Sequence, residues 1–433
     1  MTNPKSIKQD YNKTYRAYVL LILTGVYTFN FIDRQILVIL QESIKADLGL
    51  SDTQLGLLTG FAFAIFYATL GIPIARWADS SNRKNIVALS LTIWSAMTAI
   101  SGLALNYWHL FLARVGVGIG EAGGSPPAHS IISDYFPPEK RATALSIYSI
   151  GIYVGILIGF LAGGWINQYF GWRMAFAAIG LPGILYALIV FFTVKEPMRG
   201  QQDILIKQQV TSSDLKTVTK QLLSHKTFIY LAFAAGLNAF GSYGVGNFVP
   251  PFLARVHGLD SATIGTWLSL TAGFGGGLGV FLGGYLADRF GQKDIRWYLW
   301  LPVIAGLIKI VPSTIFFFSE NTQLVLFITF FTNLLVPIYI GPCLAVTHNL
   351  VPPHQRAFAS AVLFFIINLV GLGMGPTVIG MLSDWLQPTY QILSLRWAFS
   401  FTYLTGIFSV FLFYKASQHY KADLKRYKGG FVN

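Results

Sequence analysis

Cysteine is all but missing from these 433 residues. Cys343 is the one thiol, so no disulfide can close within the chain and dithiol redox chemistry is excluded. Charge is scarce too, at 11% of residues where a soluble domain carries about 25%. Such a chain cannot clothe a water-facing surface. The spacings of common catalytic sites are also missing: there is no H-E-x-x-H, no G-x-x-x-x-G-K-[ST] and no nucleophile beside a base. We therefore expect no enzyme chemistry, no catalytic residue, no cofactor and no metal site. Acidic residues number 18 against 31 basic ones, a net charge of +13. The basic residues are scattered between apolar runs, which fits an anionic bilayer surface and excludes nucleic acid as a partner.

Long apolar runs stand in place of charge. They recur near residues 17–40, 53–78, 85–105, 107–134, 142–169, 173–194, 228–255, 262–287, 297–318, 322–350, 357–385 and 396–416. Each approaches the ~20 residues that a membrane helix needs. The expectation is an all-α membrane protein of twelve transmembrane helices. Lys5, Lys8, Lys13, Arg16, Arg76, Arg83, Lys84, Lys140, Arg141, Lys293, Arg296 and Arg356 fall on one side, with the tail from Lys415. Only Lys45, Arg173, Arg255 and Arg396 fall on the other, so both termini are expected in the cytoplasm. The N-terminal run is too long for a signal-peptide core and reads as an uncleaved first span. Residues 195–227 form the one long polar stretch. Ile204, Leu205, Val210, Leu215, Val218, Leu222 and Leu223 give it the loose spacing of an amphipathic surface helix. The expected division is a six-helix bundle over 1–194, this linker over 195–227, and a second bundle with a cytoplasmic tail over 228–433.

The two halves repeat. L-G-L-S-D-T-Q-L-G (Leu48–Gly56) parallels H-G-L-D-S-A-T-I-G (His257–Gly265), and A-R-W-A-D-S-S-N-R-K (Ala75–Lys84) parallels G-Y-L-A-D-R-F-G-Q-K (Gly284–Lys293) at the same offset. F-P-P-E-K-R-A (Phe136–Ala142) parallels V-P-P-H-Q-R-A (Val351–Ala357). Six spans repeated in one orientation give two bundles around a central cavity. The loops at Ala75–Lys84 and Gly284–Lys293 resemble the signature of the major facilitator superfamily, with Ala75, Ser80 and Asn82 departing from it in the first copy. F-N-F-I-D-R (Phe29–Arg34) and R-V-G-V-G-I-G-E-A (Arg114–Ala122) are similar to the spinster-type lipid transporters. That resemblance implies alternating access and marks Asp33, Arg34 and Glu121 as functional positions.

Four ionisable groups inside spans carry the chemistry. Asp33 and Arg34 lie in the first apolar run; Arg114 and Glu121, two helical turns apart, lie in the fourth. A charge at mid-membrane costs at least ~2.5 kcal/mol, so each needs a partner, a watery cavity or a proton. At the repeat offsets their counterparts are Ser242, Tyr243, Thr329 and Val336, none charged. The same fold closes there without charges, which argues for function in the first half rather than a purely structural ion-pair lock. Burial favours the neutral acid and a nearby arginine the carboxylate. Glu121 is the expected proton site, with Asp33 second. Arg34 and Arg114 would be their alternate partners or hold an anionic head group, with Asn30 steadying Arg34.

Other residues keep two readings open. His129 extends a proton path or simply packs. Lys309 meets an anionic substrate, snorkels, or caps a break at Pro312. Asp79 with Arg83 and Asp288 with Arg289 form cytoplasmic gates. Phe240, Tyr243 and Tyr339 line an aromatic cavity wall. The expectation is a proton-coupled carrier of an amphipathic, lysolipid- or sphingoid-like substrate in a bacterial inner membrane, for which a monomer suffices. A soluble organic anion, sugar or drug is the rival substrate; a channel or membrane enzyme is the rival class.

Overall fold

In lipid no water is available to backbone groups, so a spanning segment must satisfy them internally, as a helix does. In the computed structural model, which describes residues 11–199, 215–352 and 355–429, every regular element among the described residues is helical. The call on Ile204, Leu205 and Val210 falls outside the described residues, as do the side chains of Leu215, Val218 and Asp79.

Helix α1 (Lys13–Leu48) opens at Asn12, whose side chain accepts from Tyr15 N at 2.7 Å, and ends at Gly49 with φ 62°. Its 36 residues rise about 54 Å, beyond a ~30 Å hydrocarbon core. The run expected at 17–40 therefore continues two turns further, carrying Glu42 and Lys45 outward. Ser51 and Gln54 form a capping box for α2 (Asp52–Thr59), which passes through Gly60 into α3 (Phe61–Ser80). Then come α4 (Arg83–Ser101), α5 (Tyr107–Glu121), α6 (Ser125–Tyr135) and α7 (Pro138–Thr193). Gly171, at φ 79°, breaks α7 into two helices.

In the second half, α8 (Leu215–Ser224) leads into α9 (Lys226–His257) and α10 (Ser261–Leu270). A π-helical turn joins α10 to α11 (Gly276–Gly291). Next are α12 (Trp297–Phe318), α13 (Thr322–Leu335) and, past a 3₁₀ turn, α14 (Ile340–Asn349). The last are α15 (Arg356–Ile366), α16 (Gly375–Tyr390) and α17 (Ser394–Gly429). Counting joined elements as one, eight helical stretches among the described residues are long and apolar enough to cross a membrane.

Small residues decide which helices touch. Gly151, Gly155, Gly159 and Gly163 on α7 lie against Thr24, Thr28, Ile32 and Ile36 of α1, where added side chains would collide with backbone at the first two and chiefly with side chains at the last two. The two halves meet at the end remote from the termini. There Gly164 abuts Gly265, Gly60 abuts Gly373, and Gly56 abuts Pro376. Polar contacts gather at the same end. Asp52 takes Arg255 through both terminal nitrogens (2.7 and 2.8 Å), Lys45 Nζ (2.6 Å) and Ser383 Oγ (2.7 Å). Arg255 also reaches Glu42 at 2.8 Å. Asp384 accepts from the backbone N–H groups of Asp52 and Thr53 (3.0 and 2.7 Å), so a carboxylate of one half caps a helix of the other. Gln41 donates to Asn247 O at 2.9 Å, and Asn167 to Ser261 Oγ at 2.9 Å. The central space is thus closed at the end away from the termini.

Candidate functional site

Glycine removes side chains where α5 passes its neighbours, and this sets the depth of both its charges. A methyl on Gly118 would sit 2.8 Å from Phe63 O, and one on Gly120 2.7 Å from Trp94 N. Helix α5 ends at Glu121, where Ala122–Gly124 make a turn before α6 starts at Ser125. The apolar run expected to be one continuous span is broken there, because Gly123, Gly124, Pro126 and Pro127 do not sustain a helix. The break places a carboxylate at the electronegative end of a helix, where it needs a cation.

Arg34 supplies it. Its Nε lies 2.8 Å and its Nη2 2.7 Å from Glu121 Oε2. Glu121 is fully buried and the Arg34 side chain is 16% exposed. The guanidinium is held among rings: Phe31, Phe63 and Tyr67 have centroids 5.0, 4.8 and 4.9 Å from it. Tyr27 and, from the second half, Tyr243 also face it. Arg114 shares the Phe63 ring at 5.4 Å and donates to the backbone carbonyl of Asp33 at 3.4 Å. Glu121 Oε1 and Asn30 Oδ1 have no hydrogen-bond partner, although Asn30 faces Glu121.

Asp33 is different. It is fully buried, its carboxylate makes no ion pair among the described residues, and its contacts to Thr98 and Trp94 fall short of well-formed hydrogen bonds. Glu121, Arg114, Thr98 and Trp94 surround it. Buried orphans of this kind are rare, and here several lie together. Trp94 and Thr98 escape a sequence reading, because tryptophan and threonine are ordinary residues of an apolar span.

The other expected site residues are dispersed. Tyr243 faces Arg34, but Phe240 is buried within the second half against Phe401. His129 is exposed and meets the Tyr148 ring edge-on at 5.2 Å; Tyr148 in turn stacks on Tyr27 at 4.4 Å. Lys309 turns inward to Asn238 Oδ1 at 3.4 Å, and Tyr339 is buried beside Phe413. Arg83 is engaged inside the first half by Asp134, Glu196 and Ser130. Asp288 accepts from Tyr298 at 2.7 Å, and Arg289 donates to Tyr285 at 3.0 Å. These three therefore contact their own half in this conformation. The closure between halves lies at the opposite end, built by Asp52, Arg255 and Asp384.

A helical fold of two packed halves with a buried ion pair between α1 and α5 defines a class. The family model of the Major Facilitator Superfamily matches residues 23–310 and, overlapping, 231–431, and the chain belongs to that superfamily. Within it the chain is spinster-like. A solved bacterial homologue of the human lysosomal transporter spinster, in an inward-facing and unoccupied conformation, matches with a TM-score of 0.89 and 34% identity, over 95% of this chain and 99% of that one. An MFS-type efflux pump of Mycolicibacterium smegmatis is 35% identical over 372 residues, 86% of this chain and 85% of its own. A sphingosine-1-phosphate transporter of Danio rerio is 26% identical over 420 residues, 88% and 81% of the two chains. The protein is thus an integral membrane transporter of small molecules rather than an enzyme.

Proposed function

We propose that this chain is a proton-coupled, alternating-access carrier of an anionic amphiphile of the lysolipid or sphingoid kind. The observation that carries the reading is the buried Arg34–Glu121 pair, with Asp33 left without an ion-pair partner beside it. In the empty carrier Arg34 neutralises Glu121. A proton arriving on Glu121 removes the charge that holds the guanidinium and frees its planar donors for a phosphate or carboxylate head group. When the substrate leaves, Arg34 returns and the proton is expelled. Asp33 is the second proton holder and Arg114 its partner. The second half offers Tyr243 and apolar walls to the tail, which suits a molecule with one charged end.

The remaining expectations follow the same reading. Taking Gly171 and the turn at Gln391 as ends of spans, and adding α4 and the broken α5–α6 pair, makes twelve spans. They divide into bundles over 1–194 and 228–433, joined by 195–227. The basic-residue bias puts both termini in the cytoplasm of a bacterial inner membrane, so the structure closed at the far end would face inward. A monomer contains every residue this cycle uses.

The test is uptake of a lysolipid into proteoliposomes under an imposed pH gradient, with parent and Glu121→Gln compared. The parent should concentrate substrate. The variant should exchange it but ignore the gradient. A variant driven as well as the parent would remove Glu121 from coupling. Relatives named for galactarate/D-glucarate and hexuronate transport favour a second reading, a soluble organic anion, sugar or drug; transport indifferent to the acyl chain would choose it over the lipid.

A further inference from the structure

Lys309 is a cation that the ion-pair site does not use. It lies a little past the middle of α12, far from either end of the helix. It does not reach for the membrane surface but turns into the second half, where its one hydrogen bond is the long one to Asn238 Oδ1 at 3.4 Å. Among the described residues no carboxylate lies within ion-pair distance of it. An ammonium group in an apolar interior needs an anion or a ring of dipoles. Among the described residues the protein supplies one amide oxygen and no anion.

It supplies a space instead. Lys309 shares a small enclosed pocket with Asn238, Gly306, Tyr339, Gly406 and Ser409. Two of these are glycines, one on α12 and one on α17, so the pocket is room left by absent side chains. Around Lys309, the Asn238 amide turns its oxygen to the ammonium and keeps its NH2 as a donor, and the Tyr339 hydroxyl can also donate. The Ser409 hydroxyl is already directed to Ala234 O at 2.8 Å. The pocket has room for about one water-sized particle. That space suits a single atom better than a phosphate, a carboxylated metabolite or a lipid head group.

We propose that this pocket binds one monatomic anion, chloride being the abundant example, which balances the half-buried Lys309 ammonium. The site is separate from the Arg34–Glu121 pair and does not rest on the transport reading.

The experiment is thermal unfolding of the full chain in detergent, with chloride titrated against gluconate at constant ionic strength. The parent should show a saturable rise in Tm with chloride. Lys309→Met should lose that dependence, and Glu121→Gln should keep it, which separates this site from the ion-pair site. Identical curves for the parent in both salts would overturn the proposal, as would a chloride response retained by Lys309→Met. Should Lys309→Met fail to fold, crystals of the parent in bromide decide alone. An anomalous peak beside Lys309 Nζ supports the site, and its absence in occupied crystals rejects it.

Discussion

Arg34 and Asp33 are adjacent in sequence yet differ in what they would cost to change. Among the described residues Arg34 is the only cation hydrogen-bonded to Glu121, and Glu121 is fully buried. Removing one partner of a buried pair strands the other, at about 3–5 kcal/mol. Arg34→Ala should therefore lower stability by that order in detergent unfolding, while Arg34→Met combined with Glu121→Gln should recover most of it. Asp33 makes no ion pair, so Asp33→Asn should leave Tm nearly unchanged or raise it while impairing transport. A large loss of stability in Asp33→Asn would show that Asp33 is structural. The sequence marks all four ionisable residues, because charge inside an apolar run is conspicuous. It does not choose among the pairings. That choice depends on the rotation of α5 against α1, set by where Gly118 and Gly120 let neighbours in.

The α5–α6 break shows how an element controls a site. Gly120 packs on the Trp94 backbone, and the chain turns immediately after Glu121. A methyl at Gly120 has nowhere to go but against main chain. Gly120→Ala should cost about 1–3 kcal/mol by overpacking and displace the Glu121 carboxylate from Arg34. Unfolding measurements would read the first effect, and a weakened response to the pH gradient the second. From sequence this segment reads as one apolar run, since the break needs only a few glycines and prolines and no polar residue. Likewise the π-helical turns at Thr271–Gly275 and Ile367–Met374 lie in runs whose hydropathy is uninterrupted. Periodicity reports where a helix faces, not where it bends.

At the scale of the whole molecule, the closed end is held by a small number of charged side chains. Arg255 ties α9 to Glu42 and Asp52, and Asp384 on α16 caps α2. Replacing Arg255 with Gln, or Asp384 with Asn, should shift the equilibrium toward opening at this end. Spin labels at exposed Ala46 and Thr389, placed in a Cys343→Ala background, would report it as a longer distance population. No change in that distribution would mean that glycine packing alone holds the closure. The repeats point in the sequence to two bundles, and the repeated loops point to gates at the termini's end. The opposite closure was not legible. Asp52 and Asp384 look like ordinary helix-end acids until the fold sets one against the other's helix.

The ion-pair cluster has a further consequence for energetics. With Asp33, Arg34, Arg114 and Glu121 all ionised, the cluster presents two positive and two negative charges. A membrane potential does about 2.3 kcal/mol of work on each elementary charge per 100 mV, but only on the net charge that moves. The empty carrier would then reorient with no net electrical work on these four groups. A potassium diffusion potential should therefore do no work on this cluster in the return step, and any voltage dependence of transport would arise in the loaded step or elsewhere in the chain.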